Sequence, residues 1–277
     1  MMRLFLLLLL SANLYAQDQL TFDKYFIECE DRWVAFERNE EGSNVYGFIY
    51  IDPTAGLTFN HEGRFTKNPD KTYTLEKLED TSMKVRLDQG DTKVALLPSS
   101  MYAALEVDSI PEWLKYYKEG EGTVERLYDW GFLYNGWNYC SKALEFLQQA
   151  HAIDPNYQGL AVELAFSYNC LDQFDKAAEV LKVALEQDPT NAYVNKEYIY
   201  TLIHLDEIAK AEARFHESVK LKIKDAYHAE NCFNILGYYY KRQDVKNFNI
   251  WVKQLKKWPN DNDLIDQYVK AMKAELK

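Results

Sequence analysis

The chain has 277 residues, 47% of them hydrophobic and 15% aromatic, with 43 acidic against 32 basic side chains and a formal charge of −11. That length allows two domains, each able to bury a core of its own. The acidity disfavours nucleic acid and anionic membrane surfaces, because both depend on lysine and arginine contacts.

Residues 1–16 read as a targeting signal, not as structure. Arg3 supplies the positive start, Leu4 to Leu10 an unbroken apolar core, and Leu14, Tyr15 and Ala16 a cleavage site before Gln17. That core is far shorter than the roughly 20 residues needed to span a bilayer. No cysteine follows the cleavage site, so a bacterial lipid anchor is not supported, and no other apolar run is long enough to cross a membrane. The expected product is exported, periplasmic or secreted, and soluble once the signal is removed.

Residues 17–120 are predicted to form a small, antiparallel, β-rich (α+β) domain. Tyr25 to Glu30 and Trp33 to Glu37 are short aromatic and β-branched runs split by Asp31 and Arg32. A turn at Glu40 to Asn44 leads into Val45 to Ile51, the strongest strand signal in the chain. Asp52 to Gly56 is a tight connection, with Pro53 fixing φ and Gly56 supplying a positive one. Leu57 to Phe59 resumes the alternation, His61 to Gly63 reads as the next turn, and Arg64 to Thr66 pairs beyond it. One face of this meander is expected to be packed and the other wet.

Asn68 to Lys71 breaks the pattern, and Tyr73 to Leu75 suits a short edge strand. Leu75 to Leu87 fits a helix or an extended run equally. Val94 to Leu97 is a buried strand, and Pro98 and Pro111 each open a short helix, the first with Ser99 and Ser100 as N-cap candidates. Trp113 and Tyr117 are expected to pack on the helical half as its N-terminal cap. Gly120, Glu121 and Gly122 mark the seam between the two domains.

From there the chain repeats itself. Ala143, Ala177 and Ala211 stand 34 residues apart, as do Leu147, Leu181 and Phe215. Tyr134 and Tyr168 keep that step, as do Ala150 and Ala184, and so do Pro155 and Pro189, each behind an aspartate. Several ladders at one period mark stacked helical hairpins. Small residues let the helices of a hairpin approach, large ones fill the space between hairpins, and each Asp-Pro pair ends a second helix.

These residues resemble the tetratricopeptide repeat (TPR) family. Gly131 and Tyr134, then Ala143, Leu147, Ala150 and Pro155, follow its pattern. The second unit repeats it with Ala165 in place of the glycine. The third keeps Ala211 and Phe215 but carries Ile199, Leu202 and Ile223 where Gly, Tyr and Pro would stand. Gly237 and Tyr240 restore the motif in a fourth, whose second half (Phe248, Trp251, Leu255, Trp258) is out of register. The resemblance implies an all-α superhelical array over 121–277, with units at about 124–157, 158–191, 192–225 and 229–262. A capping helix over 263–276 is expected to turn Leu264, Tyr268, Val269 and Met272 inward. The whole chain also resembles exported envelope proteins that pair such a β domain with a short array, a likeness that supplies no activity.

Cys29, Cys140, Cys170 and Cys232 fit no CxxC metal or redox spacing. In a stack of this kind the start of the first unit's second helix, at Cys140, meets the end of the next unit's first helix, at Cys170. A Cys140–Cys170 disulfide and four buried thiols are both open readings.

No glycine-rich phosphate loop, paired-histidine metal spacing or Gly-x-Ser-x-Gly elbow is present, so no catalytic residue, metal or cofactor is predicted. The histidines (His61, His151, His204, His216, His228) are scattered. The resemblance places the first helix of each hairpin on the concave face, where the family binds its ligands. Three more 34-step ladders fall there: Phe132, Phe166 and Tyr200; Asn135, Asn169 and Ile203; Tyr128, Val162 and Lys196. Stacked rings beside stacked amides suit an extended peptide, the rings covering apolar side chains and the amides bonding its backbone. The opposing reading is that the rings simply pack on the neighbouring helix. The basic clamp with which some family members grip a carboxylate is missing, since Tyr128, Phe132, Glu163, Tyr193 and Glu197 occupy its places. Asp129, Glu163 and Glu197 put one carboxylate per unit near the groove instead, favouring a basic or polar segment.

The function expected is a non-catalytic scaffold for a protein or peptide partner. One alternative is an enzyme or small-ligand-binding domain in the β half with the repeats as a docking arm. Another is a structural module that self-associates into a homo-oligomer.

Overall fold

The computed structural model describes residues 20–78, 83–223, 227–259 and 263–276. The targeting signal over 1–16 lies outside them. Internal contacts divide the chain into two compact units, before and after the Glu119–Gly120 bond.

The first unit is one antiparallel sheet. Its strands are β1 (Lys24–Tyr25), β2 (Arg32–Ala35), β3 (Asn44–Asp52), β4 (Gly56–Lys67), β5 (Tyr73–Lys77), β6 (Met83–Arg86) and β7 (Lys93–Leu96). Their order is β1-β7-β2-β3-β4-β5, with β6 also paired to β4. Asp52 tightens the β3–β4 turn, its Oδ1 accepting from the Thr54 and Ala55 amides at 2.8 and 3.0 Å. The predicted turn at His61 to Gly63 is not formed, and β4 runs straight through it. The pairing shifts between Tyr46 and Gly47, opposite Gly63 and His61. Glu62 is therefore taken up as a bulge, and the strand continues because β3 offers it a partner throughout. Leu75 to Leu87, equivocal in sequence, contributes β5 and β6, separated by residues outside the described set.

Both faces of the sheet centre are covered, against the expectation of one wet face. Tyr46, Phe48 and Tyr50 pack under Met101, Leu105 and Leu114. By strand alternation Ile49 and Phe59 take the opposite face, where Phe36 sits 5.2 Å from the Phe59 ring and Phe26 5.9 Å from Phe36. Trp113 and Tyr117 are built into this sheet, with Trp113 centred 5.0 Å from Tyr50 and Tyr117 4.6 Å from it. Their 3-10 turn (Glu112–Tyr117) follows Pro111 closely and lays both rings on β3.

The second unit is helical: α1 (Val124–Gly136), α2 (Cys140–Ile153), α3 (Leu160–Cys170), α4 (Phe174–Gln187), α5 (Ala192–His204), α6 (Ile208–Lys220), α7 (His228–Lys241), α8 (Val245–Leu255) and α9 (Asp263–Glu275). Thr123, Asn191 and Asp244 cap α1, α5 and α8 by accepting backbone amides. The turns inside the first three hairpins repeat one device. Asn138, Asp172 and Asp206 sit in the left-handed region at φ 58, 57 and 62°, which short polar side chains tolerate. In the fourth hairpin Gln243 takes that role at φ 56°, three residues late, which accounts for the slipped register beyond it.

Ala143, Leu147, Ala177, Leu181, Ala211 and Phe215 are fully buried. Each buried leucine contributes about 1.5–3 kcal/mol relative to exposure. Gly131 is needed because a Cβ there would meet the Leu147 side chain at 2.3 Å. The last helix turns Val269 and Met272 inward as expected, but not Leu264 and Tyr268, which are 54% and 56% exposed. Ile265 and Leu276 join Val269 and Met272 on the last core cluster, since steps of four, three and four keep those residues on one helical stripe. No helix among the described residues is long and apolar enough to cross a membrane.

Candidate functional site

The first helices of the hairpins form a continuous layer, α1 touching α3, α3 touching α5 and α5 touching α7. The predicted binding ladders lie on these helices, but their side chains do not share one fate. Asn135 is buried and engaged inside the protein. Its amide nitrogen donates to the Glu163 carbonyl and to Glu163 Oε2, both at 2.9 Å, and its Oδ1 accepts from Ser167 Oγ at 2.7 Å. One repeat later Asn169 Nδ2 donates to Glu197 Oε2 at 3.2 Å, and Thr201 Oγ1 donates to Asn169 Oδ1 at 3.0 Å. The amides thus bond the next helix. This corrects the expected role of Asn135, whose buried amide is bonded within the protein, and narrows that of Asn169.

Buried carboxylates are the consequence. Glu163 and Glu197 are nearly inaccessible, whereas Asp129 is exposed. Burial first, then the nearby Glu197 charge, raise the Glu163 pKa, and the Asn135 hydrogen bond offsets part of that rise. Val162, also predicted to line the groove, belongs to the apolar core with Ala165, Ala177 and Leu181. A side chain two residues after the start of α3 is turned toward α4 and α5 there.

Four of the remaining predicted residues converge. Phe166, Asn169, Lys196 and Tyr200 line a cavity of about 300 Å3, completed by Asn138, Cys170, Glu197 and Glu230. Lys196, 18% exposed at its side chain, lies 3.4 Å from Glu197 and 3.3 Å from Glu230. Its ammonium also sits 5.0 Å over the Tyr193 ring and 5.2 Å over Tyr227. Desolvation alone would lower its pKa, but Glu197 and Glu230 outweigh it and the net shift is upward. Burial, then Glu197 and Asp172, raise the Tyr200 pKa. The Tyr200 ring is backed by His204 at 4.3 Å, which in turn stacks on Phe174 at 4.6 Å.

Tyr128 and Phe132 stand one repeat earlier and are not part of that lining. Phe132 is 56% exposed, its ring stacked 6.4 Å from Tyr128, which meets Tyr157 at 5.2 Å. Gly159 (φ 86°) makes room for the tyrosine, since a Cβ there would lie 2.7 Å from Tyr128 Oη.

Cys140 and Cys170 are joined by a disulfide, Cα atoms 6.2 Å apart across 30 residues of sequence. It ties the first two hairpins together at the cavity's edge. Cys29 and Cys232 are buried thiols whose pKa values burial pushes up to about 12, so they are poor nucleophiles. Among the described residues no group of three His, Cys, Asp or Glu side chains could hold a metal ion.

Sequence reasoning missed Asn138 and Glu230. Both had a signal: Glu230 is the next step after Tyr128, Val162 and Lys196, and Asn138 is the first in the row of left-handed turn residues. The lining brings two rings, two amides, one ammonium and two carboxylates around a space of about 300 Å3.

A profile of the tetratricopeptide repeat family matches residues 171–229. No curated protein sequence matches the chain. Among solved structures, the Thermus thermophilus protein TTC0263, a thermophilic TPR protein, is 19% identical. It covers 58% of this chain and 86% of its own, with a TM-score of 0.47. YrrB, a TPR protein with an unusual peptide-binding site, is 15% identical across 55% and 76% of the two chains, at a TM-score of 0.46. MamA is 18% identical across 59% and 87%, at 0.44.

Proposed function

We propose that the helical half of the chain, in which residues 171–229 match a tetratricopeptide repeat profile, is a non-catalytic scaffold holding a peptide or protein segment along its first-helix layer. The observation that supports this reading is the cavity between α3, α5 and α7, whose walls are rings and polar groups rather than packed core. Phe166 and Tyr200 offer apolar faces to a side chain, and Asn169 and Lys196 stand beside them. Tyr128 and Phe132 extend the aromatic surface by one repeat, so the segment held is an extended one. We also place the protein outside the cytoplasm, supported by the signal-like residues 1–16 and by a disulfide that suits an oxidising compartment.

The test is site-specific photocrosslinking from position 166, with position 183 on the exposed face of α4 as control. A partner trapped from 166 and not from 183, and lost when Tyr200→Ala is added at unchanged melting temperature, supports the groove. Equal trapping from both positions defeats it. Export is checked by fractionation and by alkylating the denatured, unreduced protein: two accessible thiols are expected, and four would contradict the oxidised state.

A further inference from the structure

We infer that the cavity between α3, α5 and α7 takes a basic side chain, arginine or lysine, from the bound segment. The inference rests on the groove reading above and adds the chemistry of its central contact.

The first argument is charge. The cavity's ionised lining is one ammonium, Lys196, against two carboxylates, Glu197 and Glu230. The ammonium is already occupied: it pairs with both carboxylates and lies over two tyrosine rings. An anionic guest would have to displace those contacts. Glu230 is differently placed, 45% exposed at its side chain and in the first turn of α7, so it presents negative charge at the opening. The surroundings have the same sign. The Tyr193 pKa is raised by burial first and then by Glu197 and Glu163, and that of Tyr128 by burial and then by Glu163 and Asp129.

The second argument is shape and surface. A space of about 300 Å3 lies at the small end of ligand pockets, which run from roughly 300 to 1,000 Å3. It suits one long side chain with its flanking backbone. Phe166 and Tyr200 present ring faces, on which the stem of a lysine packs and a guanidinium stacks. Aromatic walls with a carboxylate at the mouth match a cation that must shed part of its water.

A displayed random dodecapeptide library, panned on the native protein and on the Phe166→Ala, Tyr200→Ala variant, tests this. Native-specific peptides are expected to be enriched for arginine or lysine at one position. A selected peptide should weaken as salt is raised. It should also lose about fivefold in affinity when its basic residue becomes glutamine or when Glu230→Gln is introduced, as for a partly exposed ion pair. Glu230→Lys should turn the selection toward acidic peptides, with melting temperatures confirming that both variants fold. Native-specific peptides without basic enrichment, or unaffected by Glu230→Lys, overturn the inference and leave the groove reading standing. Identical pools from native and variant protein overturn both.

Discussion

The first two junctions between hairpins and the third solve one packing problem with different chemistry. Where α1 meets α3 and α3 meets α5, asparagine, glutamate and a hydroxyl interlock in a buried network: Asn135, Glu163 and Ser167, then Asn169, Glu197 and Thr201. Where α5 meets α7 the same 34-step positions carry Ile203, Asn231 and Ile235, and the contact is part of a large apolar cluster around Phe215 and Trp251. A polar junction fixes orientation through directional bonds and makes each member depend on the others. An apolar junction supplies bulk stability without that dependence. The cavity lies beside the second polar junction, where Glu197 is bonded by Asn169 and paired with Lys196, which also pairs with Glu230 of α7.

Four measurements would break or sharpen this contrast. The largest effect is expected from Phe215→Ala, whose ring lies 5.1 Å from Trp251 and 5.7 Å from His228. Its loss should cost about 3–5 kcal/mol in urea unfolding, because the apolar junction has nothing else to fill the space. Next, Cys140→Ser with Cys170→Ser should cost about 3–4 kcal/mol, as expected for a loop of about thirty residues. A change below 1 kcal/mol would mean that the polar network alone locks the first junction.

Third, Asn135→Ala should cost about 1–3 kcal/mol by stranding the Glu163 carboxylate and the Ser167 hydroxyl. The triple variant Asn135→Ala, Glu163→Ala, Ser167→Ala should cost clearly less than the sum of its three single changes. Strict additivity would show that the residues do not act as a network.

The smallest effect concerns pH. The folded-state pKa of Glu163 is raised, so below its unfolded value the group is protonated in both states and carries no penalty. As pH rises through the folded value, charging a buried carboxylate destabilises the native state. Glu163→Gln should therefore gain on the native protein between acidic and neutral pH, read from unfolding midpoints across that range. A constant difference would refute the assignment.

The two halves of the molecule were not equally readable. Hairpin ends in the helical half followed from single residues, such as the Asp-Pro pairs that stop α2 and α4, whereas the turn residues Asn138, Asp172 and Asp206 emerged only from their left-handed backbone. The apposition of Cys140 and Cys170 followed from the stack's register. In the sheet, the segment from His61 to Gly63 has the composition of a turn, yet it stays in β4 because β3 lies beside it. Tyr134, Leu147 and Phe215 are buried as their positions imply, whereas Phe132, Phe166 and Tyr200 range from exposed to half-buried on one ladder. Their neighbours differ although their register does not.

The amino-acid order by itself determined the period and the helix ends, because those depend on sterics within a few residues. Only the tertiary structure decided that Asn135 and Asn169 turn toward the next helix, that Val162 joins the core, and that Glu230 completes the cavity with Lys196. Those outcomes depend on side chains 28 to 34 residues apart. Buried polar groups must find partners wherever packing brings them, and repeat position alone does not say which partner wins.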